Sequence, residues 1–392
     1  MLAFTFPGQG SQKPGMGAAW EGHPSWELVE EASDACGRDV ENLLLRSDAE
    51  ELRHTRNSQL STFVLSMVVL DAVERTGLVP NFAAGHSLGE YSALTASGAL
   101  SYEDAIYLVA ERGEAMQVAA DEQDGTMAAV LGLDDDLVAT ACARIDGNVW
   151  VANYNAPGQV VIAGAPDALA LAGEQAKELG AKRTIALPVG GAFHTPFMAP
   201  ARDRLRKALA EIDIRAPSVP VVANVDAIAR DTADDWQNLL AAQLCSPVQW
   251  RQTLYNLVDA GVQTFVELGP GTALTGMAKR TAKGAWVLSV GAPSDVDTLL
   301  SAAAEIGTDA SPSVDLGENL YVTERMVVSP CAGVFTPRTD LSPGATLAVG
   351  ELIGTVGDEE VRSPFGGALM GVLAFEGERV TARQPIAWLR SS

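Results

Sequence analysis

Five residues, Gly85-His86-Ser87-Leu88-Gly89, follow the pattern G-x-S-x-G, in which a serine stands on a sharp turn between a strand and a helix. The pattern has a physical reason. A nucleophilic hydroxyl must project clear of the backbone, so glycines are needed where flanking side chains would clash. The amide after the serine then opens a helix, where it can donate to an oxyanion. A glycine-rich turn without chemistry would read the same way. A serine hydroxyl needs a base, and the chain offers four histidines. His86 adjoins the serine, but its side chain leaves the turn in another direction. His23 and His54 lie in polar segments and are expected in solvent. His194, in the loop Gly190-Gly191-Ala192-Phe193-His194-Thr195-Pro196, is the best candidate base, with a packed loop histidine as the alternative. Arg112 shares a helix face with Ala105, Leu108, Val109 and Met116 by its spacing. A guanidinium on an apolar face needs an anion or a route to water. It is either a clamp for a substrate carboxylate or a snorkelling side chain paired with Glu111 or Glu114.

The elements that must hold these residues follow from the apolar pattern. Leu2 to Phe6 is a strand running into the loop Pro7-Gly8-Gln9-Gly10-Ser11-Gln12. Leu60 to Val79 is an apolar helix, a strand leads into Ser87, and Tyr102 to Ala119 is a further helix. This alternation points to an α/β fold with a largely parallel sheet. Residues 126–190 break the rhythm: strands at Met127–Leu133, Val149–Asn153, Gln159–Ala163 and Lys182–Val189, with helices at Asp134–Ile145 and Asp167–Leu179. That βαββαβ order is ferredoxin-like. The core unit is expected to span residues 1–291, with a short helix (Asp295 to Ile306) and linker over 292–319 and a β-rich unit over 320–392.

Composition bounds the function classes. Of 392 residues, 47% are hydrophobic and 20% charged, ample for a buried core. A formal net charge of −23 excludes nucleic acid as a partner and disfavours anionic membranes. No apolar run reaches the ~20 residues of a membrane span, and Met1-Leu2-Ala3-Phe4-Thr5-Phe6 lacks the basic start of a signal peptide. Four scattered cysteines signal neither a disulfide framework nor a zinc site. A cytoplasmic globular protein is the expectation.

Taken together, the motifs resemble those of the malonyl-CoA:acyl-carrier-protein transacylases and the acyltransferase domains of polyketide synthases. The resemblance covers residues 1–290. It rests on Phe6-Pro7-Gly8-Gln9-Gly10-Ser11-Gln12, Gly85-His86-Ser87-Leu88-Gly89-Glu90, Glu111-Arg112-Gly113, Asn153-Tyr154-Asn155-Ala156-Pro157-Gly158-Gln159, Gly191-Ala192-Phe193-His194-Thr195, Pro247-Val248-Gln249-Trp250 and Glu267-Leu268-Gly269-Pro270-Gly271, in that order. The resemblance implies an α/β-hydrolase-like subdomain with a ferredoxin-like insertion. It implies a Ser87 nucleophile, a His194 base, an oxyanion hole from the amides of Gln9 and Leu88, and Arg112 on the malonyl carboxylate. It further implies a Gln243 carbonyl orienting the histidine, with no carboxylate third member. Substrates would be coenzyme A thioesters and holo-acyl carrier protein, with no metal or other cofactor. The segment Gly191-Ala192-Phe193-His194 looks like the malonyl-selective type. Carrier proteins are acidic, so docking needs a local basic patch: Lys182 with Arg183; Arg202, Arg204, Arg206 and Lys207; or Lys279, Arg280 and Lys283.

The C-terminal stretch contains an internal echo. Val327-Val328-Ser329-Pro330-Cys331-Ala332-Gly333 matches Val361-Arg362-Ser363-Pro364-Phe365-Gly366-Gly367 at an offset of 34 residues, and Ser342 to Ile353 echoes Glu376 to Ile386 with one residue of slippage. Two such halves fit a quasi-symmetric β-sandwich or barrel. Residues 320–390 are similar to biotinyl/lipoyl carrier domains. They depart at the hairpin Gly357-Asp358-Glu359-Glu360, where the carrier lysine belongs, and no lysine follows Lys283. Amide attachment of biotin or lipoate is therefore impossible there, which leaves a module for docking another protein, a dimerisation module, or a silent tether. Two other functions remain open: a serine hydrolase on the same turn, which would need an acid between Ser87 and His194 in a recognisable motif, and a non-catalytic scaffold.

Overall fold

The computed structural model describes residues 1–306 and 324–390, apart from 340, 343, 358, 365, 376 and 381–383. The expected linker beyond Ile306, and Asp358 of the hairpin, lie outside the described residues. Two compact units emerge, Met1–Pro312 and Ser313–Ser392. Among the described residues, no helix is long and apolar enough to cross a membrane.

Among the described residues the first unit contains ten strands: β1 (Leu2–Phe6), β2 (Phe82–Gly85), β3 (Thr126–Leu131), β4 (Val149–Ala156), β5 (Gln159–Gly164), β6 (Arg183–Ala186), β7 (Val221–Val222), β8 (Ala229–Arg230), β9 (Thr264–Leu268) and β10 (Trp286–Val290). Six form a sheet in the order β10-β9-β1-β2-β7-β8, parallel except for the β7–β8 pair. Strands β1, β2 and β9 are almost wholly buried, as a parallel sheet covered on both faces requires.

The long helix is Thr55–Glu74 and not Leu60 to Val79. Its first turn is polar yet, apart from the exposed Arg56, buried, so apolar periodicity misses the true start, while Gly77 at φ 82° follows the end. Helix Tyr102–Glu122 is capped by Ser101, whose hydroxyl accepts the Asp104 amide at 3.1 Å. These two helices touch closely because Gly113 has no side chain: a Cβ there would meet Arg56 Cα at 2.9 Å.

The remaining four strands form an antiparallel sheet ordered β4-β5-β3-β6, with helices Asp135–Ala143 and Pro166–Glu178 between them in sequence. Period-2 alternation explains its two faces. Val130, Val160 and Ile162 pack with Val138, Leu169 and Ala172 of those helices. Met127, Ala129 and Val161 face the main core. The last strand is shorter than Lys182 to Val189, covering only Arg183–Ala186. The packed body does not end near Gly291: helix Pro293–Ile306 follows, and its Leu299 joins the main core.

The second unit has β11 (Glu324–Val328), β12 (Gly333–Pro337), β13 (Thr346–Leu347), β14 (Leu352–Val356), β15 (Glu359–Arg362), β16 (Gly367–Val372), β17 (Arg379–Val380) and β18 (Pro385–Arg390). They form two antiparallel four-stranded sheets, β11-β18-β16-β13 and β15-β14-β12-β17. Exchanging β11–β14 for β15–β18 converts one order into the other. The sequence echo is thus an approximate two-fold in which each half lends strands to both sheets. Its core obeys the same symmetry, with Val327 matched by Val361, Phe335 by Leu369, Leu347 by Val380 and Ile353 by Ile386.

Candidate active site

Strand β2 ends at Gly85 and a helix starts at Gly89. Both glycines are obligatory here, since a Cβ on Gly85 would meet Gly89 O at 1.8 Å and one on Gly89 would meet Phe6 O at 2.1 Å. Between them Ser87 adopts φ 54°, a left-handed conformation that costs a non-glycine residue roughly 1–2 kcal/mol. The turn is held from outside. Asn224 Oδ1 accepts the Ser87 amide and Asn224 Nδ2 donates to Gly85 O, each at 2.7 Å.

Ser87 Oγ lies 2.8 Å from His194 Nε2, although 107 residues separate them. His194, also at positive φ (61°), sits with its other nitrogen, Nδ1, 2.8 Å from the Gln243 carbonyl. A carbonyl only accepts, so Nδ1 carries the proton and Nε2 is free to accept the serine hydroxyl. Burial, with the Arg112 charge second, pushes the His194 pKa down to about 3. The imidazole is therefore neutral at ordinary pH.

Arg112 is 1% exposed. It donates through Nη1 to Gln59 Oε1 at 2.6 Å and through Nη2 to Gln243 Oε1 at 2.7 Å and Ser87 Oγ at 3.1 Å. Every one of these acceptors is neutral, and Nε is buried without a partner. Glu111 and Glu114 on the same helix are engaged elsewhere, with Arg204 and Arg56, and the buried Glu90 lies nearby but forms no ion pair with Arg112 among the described residues. A buried cation with no directly paired anion is costly unless one arrives with a ligand.

The amides of Gln9 and Leu88 are not taken up by any hydrogen bond among the described residues. Gln9 reaches the site because Gly8 passes over the turn, where a Cβ would meet His86 O at 2.4 Å. His86 does point away: Nε2 lies 2.9 Å from Asn155 Oδ1, and its ring packs edge-on to Trp250. His54 is exposed. His23 is not a solvated residue, for its ring is half-buried against Trp20 and Nδ1 accepts the Ser25 amide. A cavity of about 170 Å³ opens beside Ser87 and His194, lined also by Gln9, Asn155, Met127 and Leu274. Other motifs are supports. Val248 exchanges backbone bonds with Ala152 and Tyr154, tying the small sheet to the main body. The buried Glu267 accepts the amides of Leu274 and Thr275 and so caps helix Ala273–Thr281.

Gln59, Asn224 and the Gln243 side chain escaped sequence reasoning. Asn224 follows β7, a strand of only two residues, too short for alternation to register. Gln59 lies in the polar first turns of its helix.

Residues 3–302 match the model of the acyl transferase domain family. The malonyl CoA-acyl carrier protein transacylase of Bacillus subtilis is 41% identical over 314 residues, 79% of this chain and 99% of that protein. The protein of that name from Escherichia coli K12 is 43% identical over 286 residues, 71% of this chain and 92% of its own. A solved malonyl-transacylase in complex with its type II polyketide acyl-carrier protein superposes with a TM-score of 0.74 at 37% identity, covering 77% of this chain and 99% of that one. A family model spanning most of the chain, and relatives matched almost end to end, place this protein in the malonyl-CoA:acyl-carrier-protein transacylase family.

Proposed function

We propose that the chain moves a malonyl group from malonyl-CoA to the phosphopantetheine thiol of acyl carrier protein through a malonyl ester on Ser87. The observation that carries this reading is Ser87 Oγ, held between a neutral imidazole at 2.8 Å and a buried guanidinium at 3.1 Å. His194 Nε2 takes the serine proton as Oγ attacks the thioester carbonyl. The carbon–sulfur bond then breaks, and the same proton passes to the departing thiolate. In the second half-reaction His194 takes the proton of the incoming thiol, sulfur attacks the ester, and Ser87 regains its hydrogen. The unclaimed amides of Gln9 and Leu88 suit the oxyanion of both tetrahedral states. Arg112 suits the malonyl carboxylate, since none of the groups it donates to carries a charge. The chain's own side chains supply these roles, and the reading invokes no metal or other cofactor.

A hydrolase would set a carboxylate behind the histidine. Here a backbone carbonyl occupies that place, which favours transfer. For carrier docking we favour Lys279, Arg280 and Lys283. The first two are exposed on helix Ala273–Thr281 and Lys283 just beyond it, and this helix lines the cavity through Ala273, Leu274 and Met277. Arg202 and Arg204 are instead drawn into pairs with Asp203 and Glu111. We read the main sheet as α/β-hydrolase-like, the small one as ferredoxin-like and the second unit as a biotinyl/lipoyl-like module without its acceptor lysine. The approximate two-fold of the second unit supports that last reading.

The test is intact-mass analysis after brief exposure to malonyl-CoA, followed by addition of holo-carrier protein. One malonyl adduct, absent in Ser87→Ala and discharged onto the carrier, is expected. Release of free malonate in place of malonyl-carrier would mean a hydrolase. No adduct would sink the reading.

A further inference from the structure

Glu90 is a carboxylate with no solvent exposure, three residues after the serine. Among the described residues it forms no ion pair. Oε1 accepts the Asn224 amide at 2.8 Å, and Oε2 accepts from Gln243 Nε2. Such a group is costly to bury, so its place calls for a reason, and its two partners suggest one. Asn224 holds the Ser87 turn, as described. Gln243 meets every working part: its carbonyl faces His194 Nδ1, its Nε2 also donates to Ser87 O at 2.8 Å, and its Oε1 accepts from Arg112.

A glutamine amide has an acceptor end and a donor end, and its neighbours decide which way round it stands. When ionised, Glu90 offers acceptors only. Together with the Ser87 carbonyl it draws the NH₂ of Gln243 and leaves the oxygen facing the guanidinium. We propose that Glu90 is a positioning residue for malonyl transfer: by fixing the orientation of the Gln243 amide, it holds Arg112 ready for the substrate carboxylate.

Glu90→Gln separates this role from simple packing. The replacement keeps shape but has one acceptor oxygen for two donors. The Asn224 donor is a backbone amide of fixed direction, so it retains that oxygen. The conflict of NH₂ against NH₂ then falls on Gln243, whose side chain can turn, giving up its bond to Ser87 O, and present a donor to Arg112. An acetyl group makes no use of Arg112. The expected result is a folded E90Q protein in which acylation of Ser87 by malonyl-CoA slows about tenfold or more, as loss of a charge-assisted contact predicts, while acylation by acetyl-CoA changes much less. Equal loss for both thioesters, or loss for neither, overturns the proposal.

A second measurement needs no variant. The groups facing Glu90 are Arg112 from helix Tyr102–Glu122, Tyr91 on its own helix, and Asp226, paired with Arg230, from the segment after β7. Burial raises the Glu90 pKa to about 7, whereas Arg112 stays cationic and burial carries Tyr91 above the phenol range. Protonation turns one Glu90 oxygen into a donor. The malonyl-to-acetyl rate ratio of the wild-type protein is therefore expected to fall as pH drops through about 7, with His194 cancelling between the two substrates. A ratio that stays level across that range overturns the proposal. The inference rests on the function proposed above, and the two fail differently. A wild-type protein that forms no malonyl ester refutes the function, while a level ratio in an active protein refutes only the role of Glu90.

Discussion

The two units of this chain bury polar groups in opposite ways. In the first, Glu90, Arg112, His194, Asn224 and Gln243 are all buried and all within one hydrogen-bonded network around Ser87. In the second, the buried polar residues among those described are Ser329 and Ser363, which occupy matching places in the two halves. Their amides bond to matching carbonyls, Gln384 and Glu351, at 2.9 and 2.8 Å. One pattern brings buried charges, Glu90 and Arg112, and two residues at positive φ, Ser87 and His194, to one asymmetric point. The other repeats a neutral solution twice, as a module does whose interior serves only to hold its two sheets together. Buried charge and strained backbone are costly, and the difference marks where the fold tolerates them for chemistry.

Arg112→Ala should break the first pattern most. Removing the cation from Ser87 is expected to slow malonyl-CoA acylation by roughly two orders of magnitude, the worth of a sheltered charge-assisted pair, while acetyl-CoA acylation holds or improves. The same variant carries a pH signature. In the wild-type protein burial and Arg112 together keep His194 neutral far into acid, with the pKa near 3. A base must be neutral to accept a proton, so the acid limb of acetyl-CoA acylation should lie well below the ordinary imidazole range. Arg112→Ala removes the second-largest cause, and the limb should move upward. Unchanged malonyl preference, or an unmoved limb, would separate Arg112 from the site.

The same contrast shows what could be read without coordinates. Ser87, His194 and Arg112 were legible because each is an unusual residue for its place: a serine between glycines, a lone loop histidine, a cation on an apolar face. The second unit was legible through repetition, since its 34-residue echo maps strand for strand onto β11–β14 and β15–β18. The support network was not. Glu90 in the first turn of a helix looks like an ordinary dipole partner, and only burial reveals it as costly. Gln59 made the start of its helix look like a loop, because the polar side chains that serve the site interrupt the apolar period. Asn224 follows a strand too short to leave a pattern. What escapes a sequence reading is the neutral donor or acceptor whose role depends on which group stands opposite.

A smaller effect is expected where the first unit meets its partner. Lys279→Glu with Lys283→Glu reverses two exposed charges near the end of the helix that lines the cavity. The change should raise the KM for carrier protein about tenfold at low salt, and less at high salt, because exposed charges are screened. The rate of Ser87 acylation by malonyl-CoA should stay the same, as that step needs no carrier. If acylation falls as well, the helix has been disturbed and the patch is not a docking surface.

The smallest effect on transfer should come from the second unit. Phe335 is fully buried there, and Leu369 is its symmetry mate. Truncating either to alanine opens a cavity and costs about 2–5 kcal/mol, a large share of what a unit of this size can hold. Hydrogen exchange over residues 324–390 should therefore accelerate strongly in Phe335→Ala, and to a comparable degree in Leu369→Ala, because the two side chains fill equivalent positions in one core. Malonyl transfer should stay within about twofold, since every group placed at Ser87 belongs to the first unit. A loss of transfer that tracks the loss of protection would show that the two units are energetically coupled. A marked difference between the two variants would show that the halves, alike in strand order, do not share the burden of the core equally.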